Sequence, residues 1–221
     1  MRSSLSLIAC VWLSACNTTT KSSVMTKQAQ GATSGTNVVI HRELLIPSGQ
    51  FARKNPEKLQ PRFITIHSTQ SFRRGATALS HANGQHDGNY LGENNKIGYR
   101  SWHFTVDDHS IYQSLPLDEQ GQHADYEGPG NMTSIGIEMC ENEGGNWAAT
   151  LDSTAKLTAQ LMKQYRIPIS NVVPHMHWRM IRFKDGKDLG FKPCPLPLLD
   201  NGRLGVKWNA FIEKIEHYGG N

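Results

Sequence analysis

Three short stretches of this chain, far apart in sequence, each run into a residue able to hold a metal. Phe63-Ile64-Thr65-Ile66 ends on His67, Val172-Val173-Pro174 runs into His175 with His177 two places on, and Lys192-Pro193 leads to Cys194. A fold that uses them together must bring segments more than a hundred residues apart to one place. Structural zinc fingers carry short paired spacings such as CxxC, and no such pair occurs here. The pattern fits a catalytic site instead, with three protein ligands from separate elements and a fourth position left to water.

The N-terminus bears on compartment. Met1-Arg2 is a short charged start, Ser6 to Leu13 is mostly apolar, and Leu13-Ser14-Ala15-Cys16 resembles a bacterial lipobox. The segment is too short for a permanent membrane span. Residues 1–15 are therefore expected to be a lipoprotein signal peptide, with the mature chain starting at a lipidated Cys16. Asn17 resembles the outer-membrane sorting pattern, which implies a lipid anchor at the outer membrane facing the periplasm. Residues 16–37 hold little to bury and read as a flexible tether with a reach of about 25 Å. Residues 38–221 suit one globular domain. It is expected to be a monomer.

The formal charge is +4 from 23 basic and 19 acidic residues, and loss of Arg2 with the signal leaves +3. So mild a charge, with basic residues spread along the chain, does not call for nucleic acid as a partner.

Apolar or alternating runs predict strands at Val38 to Ile40, Phe63 to His67, His103 to Val106, Ile111 to Gln113 and Ser134 to Met139. Helical spacing predicts a helix through Ala155, Leu161 and Tyr165 opened by Asp152 as N-cap, another through Trp208, Phe211 and Ile215, and a shorter one over Ala76 to Ala82. The expected class is α/β, a central mixed sheet flanked by helices. Along Ser134 to Cys140, period two puts Ile135, Ile137 and Met139 on one face and Gly136, Glu138 and Cys140 on the other. A carboxylate in mid-strand is costly to bury without a task, which marks Glu138 for general acid/base work.

Ile64-Thr65-Ile66-His67-Ser68-Thr69, Ser101-Trp102-His103-Phe104-Thr105-Val106-Asp107-Asp108, Ile111-Tyr112-Gln113, His123-Ala124, Gly130 to Glu138, Val173-Pro174-His175 and Lys192-Pro193-Cys194-Pro195 occur in this order. Together they resemble the type-2, zinc-dependent N-acetylmuramoyl-L-alanine amidases, a family related to peptidoglycan recognition proteins and to an amidase-type phage lysozyme. The resemblance runs from about Arg62 to Pro195. It implies the peptidoglycan-recognition-like fold and cleavage of the amide between N-acetylmuramic acid and L-alanine of the stem peptide, in polymeric wall or muropeptides, for wall remodelling or recycling. It further implies one Zn2+ per chain held by His67, His175 and Cys194, with Glu138 as the catalytic carboxylate and Lys192 as electrostatic stabiliser.

Trp102 stands where some relatives carry Tyr, so a residue that can donate but not exchange a proton occupies that place. Arg179 to Phe191 is longer than the link found in many relatives and is expected to form a loop on the cleft rim. His175 is preferred as the ligand from its place after Val172-Val173-Pro174, and His177 is expected to serve beside the metal shell or in proton handling. His103 and His123 are further candidates for supporting the site or contacting substrate. His41, His81, His86, His109 and His217 lie outside the motifs and are expected to be solvated. Cys140, on the Glu138 face, is expected near the same cleft as Cys194. Two rival functions remain at this level: a silent peptidoglycan-binding module, against which Glu138 and Cys194 argue, and a zinc peptidase cutting within the stem.

Overall fold

The computed structural model describes residues 38–92, 95 and 98–220. The signal segment, Cys16 and the tether expected before residue 38 lie outside the described residues.

Period-two alternation builds the centre. Strands β1 (Phe63–Ser68) and β4 (Ser134–Met139) pair in parallel, with His67 directly opposite Glu138. On the far side of β4 lies β2 (Phe104–Val106), parallel to it and antiparallel to β3 (Ile111–Gln113). On the far side of β1 lies β5 (Val172–Pro174), also parallel. The resulting order β3-β2-β4-β1-β5 is a mixed sheet, as expected. Val38 to Ile40 is not a strand. Val39 is exposed, Val38 and Ile40 pack against the core, and the segment meets the sheet through the isolated bridge from His41 to Tyr112.

The apolar positions of each strand meet the helices. Ile64, Ile66, Ile135, Ile137, Met139, Phe104 and Val106 form one buried cluster with Leu157 and Leu161 of α3 (Trp147–Tyr165) and Trp208, Phe211 and Ile215 of α4 (Val206–Gly219). Ile137 is fully buried there, so truncation to Ala costs about 2–5 kcal/mol. Helix α1 (Ala78–His86) is started by Thr77, whose hydroxyl accepts from Ser80 N–H, and by Asp107, whose carboxylate accepts from Ala78 N–H at 2.8 Å. The short α2 (Pro129–Thr133) leads straight into β4.

Helix α3 starts six residues earlier than its apolar spacing predicts. Asn146 is the cap, its side chain accepting from Ala149 N–H at 3.2 Å. Asp152 is therefore a helical residue and not an N-cap. Its carboxylate pairs with Lys156 at 2.8 Å and Lys214 at 3.2 Å and accepts from Tyr218, which ties α3 to α4. Thr150, Thr154 and Thr158 recur every four residues on the buried face, and the hydroxyls of Thr154 and Thr158 donate to the carbonyl one turn back at 2.7 and 2.8 Å. Those bonds satisfy polar groups that burial would otherwise penalise.

The opposite sheet face carries the polar positions. Thr65 donates to Ser134 Oγ at 2.7 Å and accepts from the Trp178 indole at 2.9 Å. Trp178 in turn meets Phe63 edge-on, with ring centroids 5.2 Å apart. The segment Arg179 to Phe191 is not an irregular loop but an antiparallel ribbon of β6 (Arg179–Ile181) and β7 (Asp188–Phe191).

Candidate metal centre and cleft

Parallel pairing puts the chemistry at one end of the sheet. His67 and Glu138 face each other near the C-terminal ends of β1 and β4, and His175 follows directly after β5, the neighbour of β1. Ligand sites in open α/β sheets favour that edge, where several strands deliver side chains together. Cys194 is held beside His175 because Met176 N–H donates to the Cys194 carbonyl at 3.1 Å. The nearest ligand atoms of His67, His175 and Cys194 all lie within 4.8 Å of one another, and all three residues are buried.

The hydrogen bonds fix which nitrogens are free. A carbonyl oxygen only accepts, so His175 Nε2–H donates to Ala124 C=O at 2.8 Å and His123 Nε2–H donates to Ser134 C=O at 3.3 Å. His123 Nδ1 is then a lone pair and accepts from His67 Nε2–H at 3.0 Å. That leaves the Nδ1 lone pairs of His67 and His175 facing each other at 3.0 Å. Two lone pairs at that distance repel unless a proton or a cation joins them. Protonation is disfavoured: burial, followed by the neighbouring imidazoles and Lys192, holds His67 well below the usual histidine range. Burial, followed by Lys192, holds His175 at about 4. Two such nitrogens with a buried thiol beside them match a zinc donor set. Cys194 is raised to about 12 by burial and then by Glu138, so its thiol stays protonated unless a cation offsets that cost.

Glu138 Oε1 is 4.0 Å from His67 Nδ1, and its Oε2 is buried with no hydrogen-bond partner among the described residues. Burial raises its carboxyl to about 7, while the Lys192 charge acts to lower it. A carboxyl poised there can both take and return a proton near neutrality. The cleft in front of it measures about 550 Å³ and is lined by Glu138, His67, His175, Lys192, Arg100 and Arg182, among others. Lys192 is exposed on its rim.

The remaining candidates sort by their partners. His103 is fully buried, donates from Nε2 to Glu119 C=O at 2.9 Å and accepts at Nδ1 from Gly136 N–H at 3.0 Å, which fixes β4 from behind. His123 supports His67 directly. Gly136 makes room for it, since a Cβ there would sit 2.8 Å from the His123 ring. Trp102 lines the cleft but its indole N–H is spent on Thr105 Oγ1 at 2.7 Å, so it is not a donor to substrate. His177 departs from expectation. Residues 175–177 form a 3-10 turn, not an extended segment, and His177 is exposed against Phe63 and Trp178, away from the cleft lining. Cys140 is a buried free thiol packed with Ala78, Ala82 and Tyr112, and it lines a smaller pocket with Glu141 and Trp147 instead of the main cleft.

Sequence reasoning missed three residues. Asn131 holds the loop that carries His123 and the Ala124 carbonyl, its Oδ1 accepting from both backbone N–H groups at 2.9 and 2.8 Å. His81, expected in solvent, is buried, and with Tyr90 it lines the cleft. Their signal in sequence is faint: Asn131 sits in a turn-like Gly-Asn pair, and a single His in a mostly small-residue helix gives no face.

Residues 57–197 match the family described as N-acetylmuramoyl-L-alanine amidase. The chain belongs to the type-2 amidase family. It is 40% identical over 159 residues to N-acetylmuramoyl-L-alanine amidase CwlH of Bacillus subtilis, covering 71% of this chain and 54% of that protein. It is 42% identical over 154 residues to XlyA of the same organism, covering 69% of this chain and 43% of that protein. The chain thus spans about half the length of these relatives. Its fold superposes on the catalytic domain of XlyA with a TM-score of 0.64 at 38% identity, covering 80% of this chain and 99% of that domain. A Staphylococcus aureus hydrolase, AmiA, shares the fold at a TM-score of 0.54 and 15% identity.

Proposed function

We propose that this type-2 amidase hydrolyses the amide between the lactyl group of N-acetylmuramic acid and L-alanine of the stem peptide, with one zinc ion per chain. The observation that carries this is the pair of facing Nδ1 lone pairs on His67 and His175, with Cys194 beside them and Glu138 at the cleft surface. A zinc ion held by His67, His175 and Cys194 would supply Lewis acidity toward a carbonyl oxygen and toward water.

The protein groups account for the rest of the reaction. Glu138, with a carboxyl near 7, takes the proton from the attacking water and hands it to the departing amine of L-alanine. Lys192 brings a fixed positive charge to the cleft rim, where negative charge develops on the carbonyl oxygen. His123 and Ala124 C=O hold the two imidazoles in the tautomers that aim Nδ1 inward. The named activity of the relatives CwlH and XlyA agrees with this chemistry.

The substrate is proposed to be polymeric wall or muropeptides reached from a lipid anchor. Leu13-Ser14-Ala15-Cys16 supports that anchor, with Asn17 supporting an outer-membrane, periplasm-facing position. Digestion of purified peptidoglycan followed by mass spectrometry tests the reaction. Unsubstituted glycan and intact stem peptides with a free L-alanine amine are expected. Shortened stems still attached to glycan would identify a peptidase and overturn the assignment.

A further inference from the structure

On the cleft wall formed by α1 and the segment after it, His81 and Tyr90 are joined through His81 Nδ1 and the Tyr90 hydroxyl. The other ring nitrogen, His81 Nε2, is buried and has no hydrogen-bond partner among the described residues. Burial, with Arg73 next in effect, depresses His81 to about 4, so at neutral pH the ring carries one N–H. The position of that proton decides the polarity of the pair.

A proton on Nε2 would leave a buried donor unpaired, and orphaned buried N–H groups are rarer in native structures than orphaned acceptors. A proton on Nδ1 leaves only a lone pair unpaired and gives the Tyr90 oxygen a donor. The second arrangement is favoured. Tyr90 then accepts from His81, and its own O–H is directed elsewhere. Glu138 Oε2 does not take it, being unpartnered among the described residues. Burial and the Glu138 charge raise the phenol to about 12, which keeps it a donor at any working pH.

The fold makes room for this residue. Gly84 lies inside α1, where glycine weakens a helix relative to alanine. A Cβ at Gly84 would sit 2.8 Å from the Tyr90 ring, so the small residue permits the phenol to dock against α1. Trp102 closes the other side edge-on, with ring centroids 4.8 Å from Tyr90. Tyr90 is half-buried between them and lines the same cleft as Glu138.

We propose that Tyr90 presents its hydroxyl proton to the cleft and donates a hydrogen bond to an acceptor oxygen of the substrate, with His81 as the positioning residue that sets this direction. Trp102, whose indole proton is spent on Thr105, does not compete for that role. The acceptor class is an amide or acetamido carbonyl, and this part rests on the amidase assignment. The tautomer does not.

Two measurements test the proposal. Side-chain 15N NMR of the full-length protein at pH 7 is expected to show His81 as the Nδ1–H tautomer, and an Nε2–H tautomer overturns the inference whatever the substrate. Binding of a muropeptide is measured on the Glu138→Gln protein so that the readout does not depend on turnover. Added Tyr90→Phe is expected to raise Kd about tenfold, the effect of one hydrogen bond. In the same background His81→Asn, which can still donate from the Nδ1 position, is expected to bind more tightly than His81→Leu. Unchanged Kd in Tyr90→Phe, or equal Kd in the two His81 variants, overturns the proposal. Loss of the amidase assignment would show separately, as failure of the unsubstituted enzyme to cleave the muramyl amide.

Discussion

His67 donates from Nε2 to Nδ1 of His123 at 3.0 Å, so one imidazole of the His67, His175 and Cys194 group is oriented by another that stands outside that group. His123 is itself fixed by the Ser134 carbonyl and fits only because residue 136 is glycine. His123→Ala should leave the fold intact yet weaken zinc binding about 10–100-fold, the usual effect of losing such a supporting partner. Competition with a chromogenic chelator measures it, and unchanged affinity would show that His67 is oriented without help.

Glu138 makes a pH-dependent contribution of its own. Its carboxyl ionises near 7 in the fold and near 4.5 when unfolded. Below 4.5 both states are protonated and it costs nothing; as pH rises from 4.5 to 7 the unfolded state alone loses its proton and stability falls. Above 7 the whole cost, about 3 kcal/mol as an upper figure, is present. Metal-free Glu138→Gln is therefore expected to be more stable than the unsubstituted protein at pH 8 and no more stable at pH 4, by urea unfolding. In the zinc-loaded enzyme the same substitution should lower turnover roughly 100-fold or more. Near-normal turnover would show that the base lies elsewhere.

Asp152 acts in the reverse sense. Burial alone would raise its carboxyl, but hydrogen bonds from Lys156, Tyr218 and Lys214 outweigh it and hold the group at about 2. Its contribution to stability is present above the unfolded value near 3.8 and disappears as pH falls through 2. Asp152→Asn should cost about 1–2 kcal/mol at pH 7, with the difference narrowing between pH 4 and 2. Denaturant melts at the two pH values check it. A cost that did not change with pH would mean that packing, not charge, is lost.

What was legible in the sequence follows from where local pattern and tertiary packing agree. The alternation in Ser134 to Met139 fixed both the strand bounds and the side on which Glu138 emerges, because Ile135, Ile137 and Met139 all join the buried cluster. Phe63 to His67 was legible for the same reason. Asp152 misled because acidic residues before an apolar repeat favour helix starts, whereas the true first turn, Trp147 to Thr150, shows little apolar spacing of its own. His177 misled because nothing in the local pattern announces the 3-10 turn over residues 175–177, which directs its ring toward Phe63 and away from the cleft. The ribbon β6–β7 places Met180, Arg182 and Lys184 on the cleft wall, a result of strand pairing that the composition of Arg179 to Phe191 does not announce.

The N-terminal proposal is tested independently of the domain. Cys16→Ser should release the protein from the membrane fraction into the soluble periplasmic fraction. Unchanged membrane fractionation of that variant would rule out Cys16 as the lipid attachment point.

Zinc content, measured by elemental analysis of the purified protein and its single variants, tests the centre of this account. One zinc per chain is expected in the unsubstituted protein and in His177→Ala, with most of it lost in His67→Ala, His175→Ala and Cys194→Ala, since the lone pairs of His67 and His175 meet at 3.0 Å and His177 points away. A His177→Ala protein that loses its zinc while His175→Ala keeps it would contradict the account.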